Sequence, residues 1–191
     1  MLSSFISNAF AFKSSAISAY SDTCIQCESI KTNLKNAHIT ESIAPILLKY
    51  AIILDTTIES ISNIALYEFI DDWMGVSYKY GGRDKSGIDC SSFAGLLYQQ
   101  IFNLQLPRTS VEQSSLITPS DRENLKEGDL VFFSLGKKRI GHVGVYLGGR
   151  KFVHASTKKG VTIDNLDYEY YLKRYVSGGW VVEDKDTDYD N

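Results

Sequence analysis

The residues of this sequence best suited to covalent chemistry are one cysteine and two histidines. Cys90 stands in Ile88-Asp89-Cys90-Ser91-Ser92, directly ahead of the apolar run Phe93-Ala94-Gly95-Leu96-Leu97-Tyr98, which reads as a helix. A thiol at a helix N-terminus lies beside unpaired backbone N–H groups and the positive end of the helix dipole, which favours its thiolate. His142 and His154 fall in strand-like settings, Gly141-His142-Val143-Gly144-Val145-Tyr146 and Phe152-Val153-His154-Ala155-Ser156. Each residue taken singly has an ordinary explanation: a buried small hydrophobe, or a hydrogen-bonded strand histidine. Taken together, a nucleophile, a base and an orienting group make a nucleophile constellation and point to a cysteine peptidase.

That chemistry requires both histidines on one sheet face. Side chains alternate along a strand, so His142, Gly144 and Tyr146 share one face, as do Phe152, His154 and Ser156. A three-residue hairpin loop at Gly148-Gly149-Arg150 would pair Leu147 with Lys151. His142 would then lie opposite Ser156 and diagonal to His154, roughly 7–8 Å away at Cα, on the same face. A two-residue loop without a bulge would put the two imidazoles on opposite faces. In the right register, His142 takes the Cys90 proton and its imidazolium holds the thiol pKa within about 3.5–7.5. His154 fixes the tautomer and orientation of His142.

Ahead of Cys90, the spacing of Ile43, Ile46, Leu47, Tyr50, Ala51 and Leu54 predicts an amphipathic helix over 41–54, capped by Ser42, with Pro45 tolerated in its first turn. A second helix is expected over 64–73, with Leu66, Phe69, Ile70 and Trp73 as its apolar stripe. A loop over 81–87 then feeds the Cys90 helix, which is expected to run to about Phe102. Thr109-x-x-Glu112 reads as a capping box. Beyond Gly128 the period becomes strand-like, with strands expected at 129–135, 142–148, 151–156, 160–163 and 174–183 and a short helix near 168–173. Helices first and antiparallel strands later give an α+β architecture, with the nucleophile helix packed on a sheet.

The stretch from Tyr78 to about Trp180 resembles the NlpC-type family of bacterial cell-wall cysteine peptidases, a papain-like group. The matching pieces, in order, are Tyr78-Lys79-Tyr80-Gly81-Gly82, Gly87-Ile88-Asp89-Cys90-Ser91-Ser92, Leu106-Pro107-Arg108-Thr109, Gly128-Asp129-Leu130-Val131-Phe132-Phe133 and the two histidine segments. The resemblance implies Cys90 as nucleophile, His142 as base and His154 as the orienting third residue. It places Tyr78 near the oxyanion, and Asp89 and Ser91 where some members hold the free amino end of the substrate. Asp89 is equally placed to cap the Cys90 helix. The implied activity is hydrolysis of peptidoglycan stem peptides, at the bond between γ-D-glutamate and a diamino acid. Alternatives with the same nucleophile are a muramoyl-L-alanine amidase or an acyltransferase. A non-catalytic wall-binding protein and a secreted antibacterial toxin are further alternatives.

The whole chain sets outer bounds. Its 191 residues, 43% hydrophobic and 23% charged, suit a folded domain with an appendage. A net charge of −3 and no basic cluster beyond Lys137-Lys138-Arg139, read as a hairpin tip, argue against nucleic-acid binding. No cofactor or metal is expected, and a monomer is. Cys24 and Cys27 form an isolated Cys-x-x-Cys pair with only His38 nearby, short of the four ligands of a zinc site; they read as two ordinary thiols or a small disulfide loop. No stretch reaches transmembrane length. Residues 1–40 are expected to be a leader or N-terminal extension, 41–183 the peptidase domain with its core at about 64–183, and 184–191 an acidic disordered tail. Met1–Tyr20 lacks a basic leading region and is interrupted by Asn8 and Lys13, so it fits an export signal poorly, although cell-wall action requires an extracytoplasmic location.

Overall fold

The computed structural model of the chain describes residues 43–136 and 139–182. The chain divides into two compact units, residues 1–45 and 46–191, and the fold below is that of the second. The expectations for the leader, Ser42, Cys24, Cys27, the tip at Lys137-Lys138 and the acidic tail lie outside the described residues.

Helix α1, over 43–54, buries Tyr50, Ala51 and Leu54 and turns Leu48 and Ile52 outward, as its spacing requires. Helix α2 (Ile64–Trp73) starts where Asn63 accepts the Leu66 N–H at 3.2 Å. Its aromatic stripe meets the next helix through Phe69 and Trp73, whose rings lie 5.9 and 6.3 Å from that of Phe93. Each such fully buried side chain contributes about 2–3 kcal/mol of transfer free energy. The segment expected as a plain loop forms the small hairpin β1 (Arg83–Asp84) and β2 (Gly87–Ile88), strands too short to show any alternation.

Helix α3 (Cys90–Leu97) is shorter than expected, because Tyr98–Phe102 winds on as a π-helical turn that ends at Asn103 in the left-handed region. Tyr98 is thereby held inward, its hydroxyl donating to the Gly128 carbonyl at 2.5 Å. The Thr109–Glu112 capping box opens α4 (Ser110–Ser114).

The remaining strands form one antiparallel sheet in the order β3-β8-β4-β5-β6-β7. They are β3 (Ile117–Pro119), β4 (Leu130–Ser134), β5 (Ile140–Gly148), β6 (Lys151–Ser156), β7 (Gly160–Asn165) and β8 (Tyr175–Val181). Helix α5 (Glu169–Leu172) sits between β7 and β8. β4 is apolar without alternation because both of its faces are covered. Leu130 and Phe132 join the main core with α2 and α3, while Val131 and Phe133 join a second cluster with Tyr146, Phe152, Leu166 and Tyr171.

The β5–β6 hairpin turns differently from the expected three-residue loop. Gly148 pairs with Lys151, and the two central residues Gly149 (φ 54°) and Arg150 (φ 64°) make a tight turn with both φ positive. A bulge at Leu147 absorbs the missing loop residue, so Tyr146 still faces Phe152 and Val145 faces Val153. The face assignment of the histidines therefore holds although the turn does not.

Candidate active site

Cys90 opens α3 at the point where the helix presents unpaired N–H groups. Asp89 sets that start. Its Oδ1 accepts from Ser92 N at 2.8 Å and Ser91 Oγ at 3.0 Å, and its Oδ2 accepts from Gly81 N at 3.0 Å. Arg108 completes the carboxylate's shell from 3.2 and 2.5 Å, and also donates to Ser91 Oγ at 2.9 Å. The helix-cap role of Asp89 is thus present in the structure. These donors outweigh burial and hold the Asp89 carboxyl below the usual range.

The expected thiolate is not what this environment favours. Burial pushes the Cys90 thiol up and the adjacent Asp89 carboxylate adds to it, against the backbone of Val143, Ser91 and Cys90 itself, which pulls the other way. Cys90 is only 7% exposed. Desolvation of a sulfur anion here exceeds what the helix end returns.

His142 and His154 meet as the shared face requires, with Nε2 of His142 2.8 Å from Nδ1 of His154. The row continues. Nε2 of His154 lies 3.2 Å from Asp164 Oδ2, and Asp164 also accepts from Tyr171 Oη at 2.7 Å and Lys159 Nζ at 3.0 Å. His154 and Asp164 are 1% and 6% exposed. The carboxylate fixes the polarity of the row: it can only accept, so His154 carries its proton on Nε2 and accepts on Nδ1, and His142 donates from Nε2. The Nδ1 lone pair of His142 is left free for a proton. Among the described residues no hydrogen bond joins His142 to Cys90, but the thiol is held against the backbone of Val143, the residue that follows His142.

Burial drives His142 down to about 3, with the His154 imidazole next to it as second cause, and burial also lowers His154 against the pull of Asp164. Asp164 is held well below the carboxylate range by its three donors despite its own burial. The native state therefore refuses protons that unfolded histidines accept. Folding stability is full above about pH 6.5 and falls as pH drops from there toward the folded values, by up to about 1.4 kcal/mol per pH unit per histidine. His142 keeps an exposed edge, and water at that edge reduces its share. Urea unfolding between pH 7.5 and 4.5 should show this loss, reduced in His154→Gln.

Two lobes of one groove meet at Tyr78, Leu135 and Gly141. One, of about 600 Å³, holds Cys90, Asp89, Ser91 and Arg108; the other, of about 370 Å³, holds His142 and Asp164. Tyr78 is pushed up by burial first and then by Cys90 and Asp89, which keeps its hydroxyl protonated as a donor. Among the described residues no group of three or more metal-ligating side chains converges.

The family model described as NlpC/P60 matches residues 75–179, which is more than half of the chain and contains Tyr78, Cys90, His142 and His154. The chain belongs to the NlpC/P60 family. A relative from Escherichia coli named "Murein DD-endopeptidase MepS/Murein LD-carboxypeptidase" is 46% identical over 104 residues, 54% of this chain and 55% of its own. A "Probable endopeptidase NlpC homolog" of Haemophilus influenzae is 43% identical over 111 residues, 58% of either chain. The match thus spans little more than half the length of these relatives. An NlpC/P60 family protein from Bacillus cereus superposes with a TM-score of 0.58 at 26% identity, covering 64% of this chain and 41% of that one. The papain-like α+β fold is therefore that of the NlpC/P60 domain.

Within this NlpC/P60 domain, sequence reasoning missed Asp164, Tyr171 and the partnership of Arg108 with Asp89. Asp164 had a signal. A loop at Thr157-Lys158-Lys159 pairs Ser156 with Gly160, which sets Asp164 opposite Phe152 and on the His154 face, and this is the observed register. Tyr171 arrives from α5, and nothing in its local sequence marks it.

Proposed function

We propose that this chain is a peptidoglycan endopeptidase that cleaves stem peptides through a Cys90–His142–His154 mechanism. The observation that carries the reading is the polarised row His142–His154–Asp164, which leaves one imidazole lone pair open beside a cysteine at a helix N-terminus. Because the resting pair is a neutral thiol and a neutral imidazole, proton transfer accompanies attack instead of preceding it. His142 Nδ1 accepts the proton as Cys90 sulfur attacks the amide carbonyl, a contact that closes in the substrate complex. The Cys90 N–H and the Tyr78 hydroxyl are the proposed oxyanion donors, each worth about 3 kcal/mol. His142 then protonates the leaving amine, and water hydrolyses the acyl-enzyme. His154 and Asp164 act as positioning residues: they hold the tautomer and spread the imidazolium charge.

The bond we favour joins γ-D-glutamate to a diamino acid. The E. coli relative's name supports a second reading, a bond between two D-centres of murein. Incubation with defined muropeptides and mass spectrometry of the products separates the two and tests the activity itself; no product from any muropeptide would remove it. Action on murein places the chain outside the cytoplasm, with residues 64–183 as catalytic core. No helix among the described residues is long and apolar enough to cross a membrane.

Asp89 and Ser91 line the thiol's lobe, and we propose that they also hold the free amine of the substrate. An ammonium has to share Asp89 with five donors already present, so the preference for free over N-acetylated substrate is expected to be only several-fold in kcat/KM. Asp89→Asn should shrink it and cost about 1–2 kcal/mol in stability through the lost charge pairing with Arg108, since an asparagine still caps the helix. A stability loss with no change in preference would leave Asp89 a structural cap alone.

A further inference from the structure

The His142 lobe has a character of its own. Lys158, Lys159 and Arg174 line it, against Asp164 as the one carboxylate among the described lining residues, in a chain whose net charge is −3. Lys159 is spent on Asp164 at 3.0 Å. Lys158 is exposed, and among the described residues no carboxylate lies within ion-pair distance of it. The Arg174 guanidinium stacks 3.9 Å from the Tyr170 ring centroid and gives one N–H to the Tyr170 carbonyl at 3.0 Å. Its other N–H groups have no partner among the described residues.

The direction of the reaction assigns the lobes. An imidazole that has taken the thiol proton must hand it to the leaving nitrogen, so the leaving half lies on the imidazole's side and the acyl half on the thiol's. His142 lines this lobe and Cys90 the other. We propose that the His142 lobe receives the leaving group and reads a free carboxylate of its diamino acid, with Lys158 and Arg174 as charge partners and Tyr168 and Tyr170 as walls. The inference rests on the peptidase reading above. It is argued for the bond between γ-D-glutamate and a diamino acid, where the released half begins with that diamino acid. A guanidinium already held over an aromatic ring and by one hydrogen bond offers its remaining N–H groups to a carboxylate with little further ordering.

Lys158 is exposed and Arg174 partly so, so each contributes modestly and is screened by salt. Wild type should cleave a stem peptide with a free diamino-acid carboxylate roughly tenfold more efficiently in kcat/KM than the same peptide amidated there, and added NaCl should narrow the gap. Lys158→Gln with Arg174→Gln should bring the two substrates to the same rate. Equal wild-type rates, or a preference that survives in the double variant, would overturn the assignment. A second measurement is independent of turnover: titration of ¹⁵N-labelled Cys90→Ala protein with the released dipeptide of the diamino acid and D-alanine, free or amidated. Shifts should gather at 156–159 and 168–174 for the free carboxylate form and weaken for the amide. Cleavage without carboxylate-dependent shifts overturns the lobe and leaves the peptidase standing. Such shifts in a protein whose wild type cleaves neither substrate uphold the lobe and remove the peptidase.

Discussion

Cys90→Ala is expected to abolish muropeptide hydrolysis, by at least about 10⁴-fold in kcat, while leaving the thermal transition in place. The side chain removed is small and begins a helix whose cap, Asp89, is untouched. His142→Ala should be about as damaging, and the Cys90→Ala/His142→Ala double variant should be no worse than either alone, since attack needs sulfur and base together. Cys24→Ala and Cys27→Ala should keep near wild-type rates. Product analysis by mass spectrometry over long incubations reads all of these; additive losses would argue that the two side chains act separately.

Asp164→Asn is expected to lower kcat roughly 10²-fold with little change in KM. The amide can present N–H to His154, and a donor there reverses the tautomer along the whole row, so His142 would hold its proton on the nitrogen that must accept one. The effect is smaller than for an acid bonded directly to a catalytic base, because one imidazole intervenes. The pH profile gives the sign. A carboxylate stabilises the protonated row, so its loss lowers the row's affinity for protons and moves the acid limb of kcat/KM to lower pH. Lost activity with an unmoved acid limb would make Asp164 merely structural. Tyr171→Phe removes one donor to Asp164 and should cost far less.

The same row shows what was legible in the sequence. Cys90 was marked by the helix that follows it, and His142 and His154 by strand parity, which survives an error in the turn because a bulge at Leu147 stands in for one loop residue. Asp164 required only that the parity argument be carried across one more hairpin. β1, β2 and β3 were missed because two or three residues carry no period. The ionisation of Cys90 was misjudged for a different reason. The helix end is a local feature, whereas the burial that opposes it comes from tertiary packing that no local pattern shows, and it outweighs even the Val143 backbone, 53 positions away, which pulls the thiol the other way.

Site-mapped alkylation against residual activity tests the central claim most directly. Iodoacetamide-treated protein is sampled over time, the Cys90-containing peptide is quantified by mass spectrometry, and hydrolysis of one muropeptide is measured in the same samples. Activity should fall in proportion to Cys90 modification. Substrate should protect Cys90, and the modification rate should rise steadily toward alkaline pH, as a thiol pushed up by burial requires. Full modification of Cys90 with hydrolysis retained would contradict the account.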